Sequence, residues 1–171
     1  MTKINLFIDF DGVIADSVSA ACETYNLLFK NFSDFKPAVP EACERYDMLD
    51  VCPLCKGDPA TLFSEKHFFD ILKLTEDDIR EYITLFSEKA NVIITSIGTA
   101  KNIYYKSKWI SERLPEAQNA IFLMNIHNKG IIDMDGGIIV DDYAPNLAKS
   151  NATHKLAFGT KKWSKSKASL L

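Results

Sequence analysis

The sequence predicts an α/β protein with a Rossmann-like, three-layer core, in which helices cover both faces of a parallel sheet. Short, almost continuously apolar segments alternate along the chain with longer segments of helical periodicity. Such apolar strands are typical of a sheet that is buried on both faces. In addition, three of these segments end in acidic or hydroxyl residues, and sites in α/β proteins form at the carboxyl ends of strands. We also expect a small, mainly helical cap between the first and second strands.

The first part of the chain supplies one strand, one helix and most of the cap. Residues 4–8 are mostly apolar and end at Asp9, which predicts a buried strand, and Asp16 is a suitable N-cap for the helix that follows. Residues 33–60 hold four of the six prolines and show little periodicity, as loops in an insertion do. Helical periodicity resumes at Thr61.

A further helix is predicted from Thr75, because Thr75 and Asp78 have a spacing like that of a capping box. Strands and helices then alternate. In chain order the predicted elements are a strand over 92–94, a helix over 101–114, strands over 120–124 and 138–140, a short helix that ends at Lys149 and carries Pro145 in its first turn, and a strand over 156–158. The predicted domains are a core formed by 1–17 and 75–171 and a helical cap formed by 18–74.

Composition narrows the functional classes. A length of 171 residues suits one domain with a small insert, and 47% hydrophobic with 25% charged residues is typical of a well-packed chain. The net charge of −3 and the pI near 5.6 argue against tight binding to long nucleic acids, which requires a basic surface. The basic segment 161–171 is interpreted as a solvated end.

The sequence also indicates the cellular compartment of the protein and the redox state of its cysteines. No apolar run approaches the ~20 residues that cross a bilayer, and the N-terminus lacks the pattern of a signal peptide. We therefore expect a cytoplasmic protein with reduced thiols at its four cysteines, Cys22, Cys43, Cys52 and Cys55. The C-x-x-C pair at 52–55 leaves open a zinc site completed by Cys43 and His67, although that spacing matches no standard motif.

The main functional signal is the coincidence of polar strand ends. The acids of segment 9–11 follow the first strand, the hydroxyls of 95–96 the second, and the pair 141–142 the fourth. Carboxylates gathered at one sheet edge repel one another strongly without a counter-ion. A divalent cation with oxygen ligands removes this penalty, and Mg²⁺ suits a site with few carboxylates. The sequence therefore predicts a magnesium site that involves Asp9, Asp11, Asp141 and Asp142.

The same residues indicate phosphoryl transfer. A carboxylate can attack phosphorus and form an acyl-phosphate, and a second acid two residues on can protonate the leaving oxygen and then activate water. Gly12 allows the backbone to turn sharply behind these acids. The phosphate would be held at Thr95 and Ser96 and by one lysine. Lys129 is the best placed of the candidate lysines, which are Lys101, Lys106, Lys108 and Lys129.

These motifs resemble those of the haloacid dehalogenase superfamily of phosphatases. The resemblance is carried by DFDGVIAD, IITS, a lysine and IIVDD in that order, and it spans residues 4–142. Within the superfamily the chain is most similar to the 5′(3′)-deoxyribonucleotidases, because of VIADS, KSKW at 106–109 and IIVDDY. This resemblance implies a helical cap placed over the site and a Mg²⁺-dependent phosphatase acting on a nucleoside monophosphate. Phe10 and Ile97 depart from the family pattern, which often has Met and Pro there.

The resemblance also implies roles for the matching residues. Asp9 would be the nucleophile and Asp11 the general acid and base. The metal would be held by Asp9, the carbonyl of Asp11 and Asp142, with Asp141 behind them. The phosphate ligands would be Thr95, Lys129 and, as a helper, Ser96.

Simpler structural roles stay open for several of these residues. Asp9 and Asp11 could be turn acids, the pair 141–142 a helix N-cap, and 95–96 a cap of the helix after Gly98. Aromatic residues of the cap are more often core than base-stacking groups, so we expect one or two to touch substrate among Phe29, Phe32, Phe63, Phe68 and Phe69. No chemistry is assigned to the histidines, which are His67, His127 and His154.

Three functions are consistent with these features. The first is a Mg²⁺-dependent phosphatase that passes through an aspartyl-phosphate and acts on a small phosphorylated metabolite, preferably a nucleoside monophosphate. The second is a phosphotransferase or phosphomutase, which passes the phosphoryl group to an alcohol instead of water. The third is a binding module without turnover, which the presence of every chemical position argues against. A capped site should admit small substrates and exclude polynucleotides.

Overall fold

The computed structural model describes residues 3–44 and 48–159, so the basic segment 161–171 lies outside the described residues. Within the described residues, five strands form one sheet: β1 (Ile4–Asp9), β2 (Ala90–Gly98), β3 (Ala120–Met124), β4 (Ile138–Asp141) and β5 (His154–Ala157). All neighbouring strands are parallel, and their spatial order is β3-β2-β1-β4-β5. This is the doubly wound arrangement that the alternating sequence pattern predicts, and it confirms the α/β class.

The part of the chain that the structure describes also contains five α-helices: α1 (Ser17–Phe29), α2 (Lys66–Ile71), α3 (Ile79–Lys89), α4 (Ala100–Arg113) and α5 (Ala144–Lys149). Between α1 and α2 the described chain forms short 3₁₀ turns at Pro40–Ala42, Met48–Asp50, Pro53–Cys55 and Pro59–Ser64. Three of these turns begin with proline, whose fixed φ suits the first turn of a helix. The proline-rich insertion is therefore built from short turns, and the domain boundaries drawn around it stay a prediction.

Hydrophobic side chains cover both faces of the sheet. In β1, Leu6 and Ile8 belong to the larger buried cluster, while Phe7 packs into a second cluster with Ile139 and Leu147. Successive side chains of a strand point to opposite faces, so both faces of β1 are buried. This explains why the strand reads as a continuous apolar run instead of an alternating one.

The prediction of a capping box at Thr75 is wrong. Helix α3 begins at Ile79, and its N-cap Asp78 makes no side-chain cap hydrogen bond. The Thr75 hydroxyl instead donates to the carbonyls of Val13 and, at 3.2 Å, Ile14. Because the backbone N–H of Thr75 also donates to Ile14, this residue joins the end of the insertion to the loop after β1.

Two alternative capping roles are also wrong. Residues 95–96 lie inside β2, and α4 is capped by Thr99, whose side chain accepts a hydrogen bond from Asn102 N at 3.3 Å. Helix α5 has Tyr143 as its N-cap, so the pair 141–142 precedes the cap. None of the described helices is long and apolar enough to cross a membrane.

Candidate active site

The carboxyl ends of the central strands meet at one point. In the β1–β2 ladder Asp9 pairs with Thr95, and in the β1–β4 ladder Ile8 pairs with Val140, so Asp141 is the next residue along beside Asp9. Asp9, Asp141 and Asp142 are buried, and each offers a carboxylate oxygen within 4.8 Å of the others. Among residues 3–44 and 48–159 no other group of three or more Asp, Glu, His or Cys ligand atoms is so close.

Lys129 compensates part of this negative charge. Its side chain is 1% exposed, and Nζ donates to Asp9 Oδ1 at 2.5 Å and to Asp141 Oδ2 at 2.7 Å. Burial, followed by the charge of Asp141, raises the pKa of Asp9 well above its ordinary value. Burial opposes the charge of Lys129, but the carboxylates of Asp9 and Asp141 outweigh it and raise the pKa of the lysine. Ionising this cluster is therefore costly for the protein alone.

Asp141 is saturated with protein donors. Its Oδ1 accepts from Tyr143 N at 2.8 Å, Asn146 Nδ2 lies 3.2 and 3.1 Å from its two oxygens, and Lys129 donates to Oδ2. A carboxylate with both oxygens already occupied is poorly placed to bind an ion directly. This geometry suits Asp141 to a position behind the metal ligands, where it orients Lys129 and the start of α5.

Gly12 brings the loop after β1 against Asp142. The N–H groups of Ile14 and Ala15 both donate to the carbonyl of Phe10, which folds the loop back on itself. Gly12 has φ +76°, and a Cβ at this position would lie 2.1 Å from Asp142 Oδ2. Both the backbone angle and the close approach therefore require glycine, as the sequence predicts for the turn behind the acids.

A second group of side chains surrounds Asp11. Its Oδ1 accepts a hydrogen bond from Ser17 Oγ at 2.7 Å, and its Oδ2 accepts one from Ser96 Oγ at 3.2 Å. Lys106 of α4 forms an ion pair with the same Oδ2. Phe10, between the two acids, is fully buried and makes an edge-to-face contact with Trp109 of α4, with ring centroids 5.4 Å apart. This contact anchors the strand end from which both acids project.

Two cavities lie beside these acids, and Asp11 and Ile97 line both of them. The larger, of about 280 Å³, has a mainly apolar wall to which Met48 and Phe63 of the insertion contribute. The smaller, of about 170 Å³, is bounded by Asp9, Lys129, His127, Tyr143 and Asn146. The nucleophile candidate and the apolar cavity are therefore neighbours, with Asp11 between them.

The structure thus brings most of the predicted site residues together, in two groups. Asp9, Asp141, Asp142 and Lys129 form one group, while Asp11 and Ser96 belong to the other. Thr95 is beside Asp9 in the sheet, but its hydroxyl lies 3.4 Å from the carbonyl of Ile8. The roles of these residues in catalysis, metal binding and phosphate binding stay predictions.

Several residues of the site were not predicted to be site residues. Ser17, Asn146 and Tyr143 contact the aspartates, and Lys106 was only one of several candidate lysines. Ser17, Lys106 and Tyr143 lie in the family-like segments VIADS, KSKW and IIVDDY, and Asn146 follows the pair 141–142 closely, so the sequence held signals that could have indicated them. Lys106 reaches Asp11 from another element, so only the folded structure reveals the pairing.

The cap aromatics and the cysteines are mainly structural. Of the five aromatic candidates, only Phe63 lines the larger cavity, whereas Phe68 and Phe69 are buried in the core cluster. The cysteines do not form a metal-binding group of the kind found for the aspartates, so the zinc alternative gains no support from residues 3–44 and 48–159. Cys22 lies beside Cys52, and this contact, together with burial, raises the pKa of the Cys52 thiol.

Solved structures share this fold. A haloacid dehalogenase-like hydrolase from Streptococcus pneumoniae superimposes with a TM-score of 0.63 at 14% identity, over 90% of this chain and 83% of that one. A protein from Clostridium acetobutylicum described as a predicted phosphatase gives 0.64 at 11% identity, over 90% and 84%. At such identities the likeness shows the fold alone. No curated protein is significantly similar to the chain.

The fold and a match to a family model together place the chain among the phosphatases of the haloacid dehalogenase superfamily. The model of one particular family, described as 5′ nucleotidase, deoxy (pyrimidine), cytosolic type C protein, matches residues 2–164. The chain belongs to that family. This confirms the predicted resemblance, the fold class and the assignment as a phosphatase of nucleotidase type.

Proposed function

We propose that this protein is a Mg²⁺-dependent phosphatase that hydrolyses nucleoside monophosphates through an aspartyl-phosphate on Asp9. One observation carries the proposal: the buried Asp9 shares a group of carboxylate oxygens, all within 4.8 Å, with Asp141 and Asp142. Lys129 adds a cation to the same group. Such an arrangement at the carboxyl edge of a parallel sheet suits the transfer of an anionic phosphoryl group.

The residues of this group fit a divalent cation. All its ligand atoms are oxygens, and within the described part of the chain three buried carboxylates are accompanied by the ammonium of Lys129 alone, so negative charge is in excess. Burial raises the pKa of Asp9 most, and the charge of Asp141 raises it further, so ionised Asp9 is costly without an additional cation. We propose that Asp9, the carbonyl of Asp11 and Asp142 hold magnesium, with Asp141 behind them. When bound, the ion offsets the repulsion between the carboxylate and the phosphate.

The chain's own side chains account for the bond changes. An oxygen of Asp9 bonds to phosphorus while the bond from phosphorus to the leaving oxygen breaks, and Asp11 gives that oxygen a proton. Asp11 then takes a proton from a water molecule whose oxygen attacks phosphorus, and the bond between Asp9 and phosphorus breaks. The products are an alcohol and inorganic phosphate, and both acids return to their starting state.

The phosphate is proposed to bind at Lys129 and Thr95. Lys129 uses two of its three N–H groups on Asp9 and Asp141, so one donor is left for a phosphate oxygen within the described part of the chain. Thr95 is beside Asp9 at the end of the β1–β2 ladder. Ser96 is the weaker candidate, because its hydroxyl donates to Asp11.

The leaving group is proposed to be a nucleoside. The cavity of about 280 Å³ next to Asp11 is of small-molecule size and has apolar walls at Met48, Phe63 and Ile97, which suit a planar base better than a sugar alone. The family description names deoxy and pyrimidine nucleotides, so deoxypyrimidine 5′-monophosphates are the first substrates to test.

A phosphate-release assay tests the proposal. Pyrimidine and purine nucleoside monophosphates, each with deoxyribose and ribose, are compared with sugar phosphates and p-nitrophenyl phosphate, in Mg²⁺ and in EDTA. We expect Mg²⁺-dependent release that is fastest for a nucleotide. Asp9→Asn should abolish turnover, whereas the control Asp135→Asn, at an exposed aspartate, should not change it. A folded wild-type protein that releases no phosphate, or an Asp9→Asn variant with near-wild-type activity, would refute the mechanism.

The same assay separates hydrolysis from transfer. Simple alcohols and nucleosides are added as acceptors, and both inorganic phosphate and newly formed phosphate esters are measured. Hydrolysis predicts one inorganic phosphate for each alcohol released, with little change when acceptors are added. Phosphate esters that form at the expense of inorganic phosphate would assign the chain to the phosphotransferases instead.

A further inference from the structure

Lys106 is a buried lysine with a contact pattern that the proposed mechanism does not use. It comes from α4 and is 1% exposed. Its Nζ donates to Asp11 Oδ2, to Ser96 Oγ at 2.8 Å and to the carbonyl of Ile97 at 3.2 Å. An ammonium group has three N–H donors, so each of them has a protein acceptor.

This pattern distinguishes Lys106 from Lys129. Lys129 makes two hydrogen bonds to carboxylates within residues 3–44 and 48–159 and keeps a donor for phosphate. Lys106 could bind a phosphate only by giving up Asp11, Ser96 or the carbonyl of Ile97. The two buried lysines are therefore suited to different tasks, and each is paired with a different aspartate of the first strand end.

Ser96 completes the arrangement around Asp11. Its Oγ accepts from Lys106, and its own O–H donates to Asp11 Oδ2 at 3.2 Å, so lysine, serine and aspartate contact one another pairwise. Ser17 donates to the other carboxylate oxygen of Asp11 at 2.7 Å. Contacts from α1, β2 and α4 therefore determine the orientation of a carboxylate that is itself only partly buried.

We propose that Lys106, together with Ser96, is a positioning residue that holds the Asp11 carboxylate where it can exchange protons with the leaving oxygen and with water. The inference rests on the proposed function, because it requires Asp11 to transfer protons. Proton transfer needs hydrogen-bond reach, so a carboxylate that can rotate away loses most of its catalytic effect. Lys106 lines the cavity proposed for the leaving group, and its role in proton transfer is exerted through Asp11.

A double-mutant cycle tests this role. The variants are Lys106→Met, Asp11→Asn and the two combined, each assayed with the nucleotide that the wild type hydrolyses fastest. We expect Lys106→Met to lower kcat by about 10- to 100-fold, the loss typical when a group that orients an active-site side chain is removed. In the Asp11→Asn background the same change should have no effect beyond about twofold. Lys108→Met, at an exposed lysine of the same helix, is the matched control.

The cycle also distinguishes a positioning role of Lys106 from phosphate binding and from a purely structural role. A lysine that binds phosphate would raise KM when it is removed, whereas a positioning residue lowers kcat and leaves KM within about threefold. A lysine that only stabilises the fold, through Ser96 and the carbonyl of Ile97 and independently of Asp11, would lower activity by the same factor with and without Asp11. Either a raised KM or multiplicative losses would overturn the proposal.

Further variants distinguish a loss of folding from a loss of function. Lys106→Met leaves the Asp11 charge without its cation, so the charge-neutral combined variant and Ser96→Ala serve as milder tests. We expect Ser96→Ala to lower kcat by about 3- to 10-fold, again only when Asp11 is present. If the wild type is active and Asp9→Asn is not, yet the losses multiply, only the role of Lys106 fails. If the wild type releases no phosphate at all, the proposed function fails as well.

Discussion

Two glycines in loops beside the sheet, Gly12 and Gly136, allow the surroundings of Asp142 to be tested by adding a single methyl group. Gly12 and Gly136 both have positive φ, +76° and +70°, which disfavours any residue with a Cβ. Only at Gly12 would the new Cβ meet another group, since it would lie 2.1 Å from Asp142 Oδ2, whereas nothing lies within 4 Å at Gly136. The pair therefore separates backbone strain from displacement of the carboxylate.

Gly12→Ala and Gly136→Ala are both expected to lower the free energy of unfolding by about 1–2 kcal/mol, because of the left-handed backbone. Gly12→Ala should in addition move Asp142, and so raise the Mg²⁺ concentration needed for half-maximal phosphate release. Urea denaturation in EDTA and Mg²⁺ titration of activity measure the two effects. Equal Mg²⁺ dependence in both variants would contradict the placement of Asp142 at the metal.

Asp9 should make the metal-free fold sensitive to pH. Burial, and after it the charge of Asp141, raises the pKa of Asp9 well above 3.8. At pH below 3.8 Asp9 is protonated in both folded and unfolded chains. Above that value the unfolded chain loses this proton more readily, so the stability contributed by Asp9 falls as pH rises through its folded pKa.

Asp9→Asn is therefore expected to be more stable than the wild type in EDTA at pH 7, and the difference should shrink towards pH 4. Excess Mg²⁺ should reverse the order, because the ion binds the folded wild-type chain more tightly than the variant. Urea denaturation at both pH values, with and without Mg²⁺, gives the free energies of unfolding. A variant that is less stable than the wild type in EDTA at pH 7 would show that the buried carboxylate does not destabilise the metal-free fold.

At the level of elements, the sheet follows closely from the sequence. The predicted strand over 120–124 is observed with the same limits, and the strand over 138–140 gains only Asp141. The limits of these strands could be predicted because strands buried on both faces are continuous apolar runs, and a polar residue marks the end of each run. The convergence of the acids at 9–11 and 141–142 then follows from parallel pairing alone.

The contacts between distant segments could not be predicted in this way. Thr75 and Asp78 have the spacing of a helix start, yet the Thr75 hydroxyl donates hydrogen bonds to carbonyls more than 60 positions away in the chain. Lys106 has helical spacing that gives no hint of Asp11, which lies 95 positions away. Local patterns specify elements, whereas a side chain selects its partner only after the elements have packed.

At the scale of the whole molecule, the cavity beside Asp11 lies between the insertion and the core. Met48 and Phe63 of the insertion line it together with Ile97 of β2. The contacts that join these parts include two hydrogen bonds: Asn102 Nδ2 of α4 donates to the carbonyl of Phe63 at 2.5 Å, and the hydroxyls of Ser64 and Thr99 are 3.2 Å apart. A leaving group bound there would occupy a space of about 280 Å³ that has protein on both sides.

This confinement predicts that polynucleotides are excluded. A 5′-phosphorylated oligonucleotide carries the same terminal group as a nucleoside monophosphate, but a cavity of about 280 Å³ leaves little room for its second nucleotide beside the insertion. We expect its kcat/KM for phosphate release to be at least about 100-fold lower than that of the mononucleotide. The net charge of −3 also repels a polyanion, so the comparison is repeated at high ionic strength, where that repulsion is screened. A difference that persists in salt is steric, whereas equal rates for the two substrates would show that the insertion does not confine the leaving group.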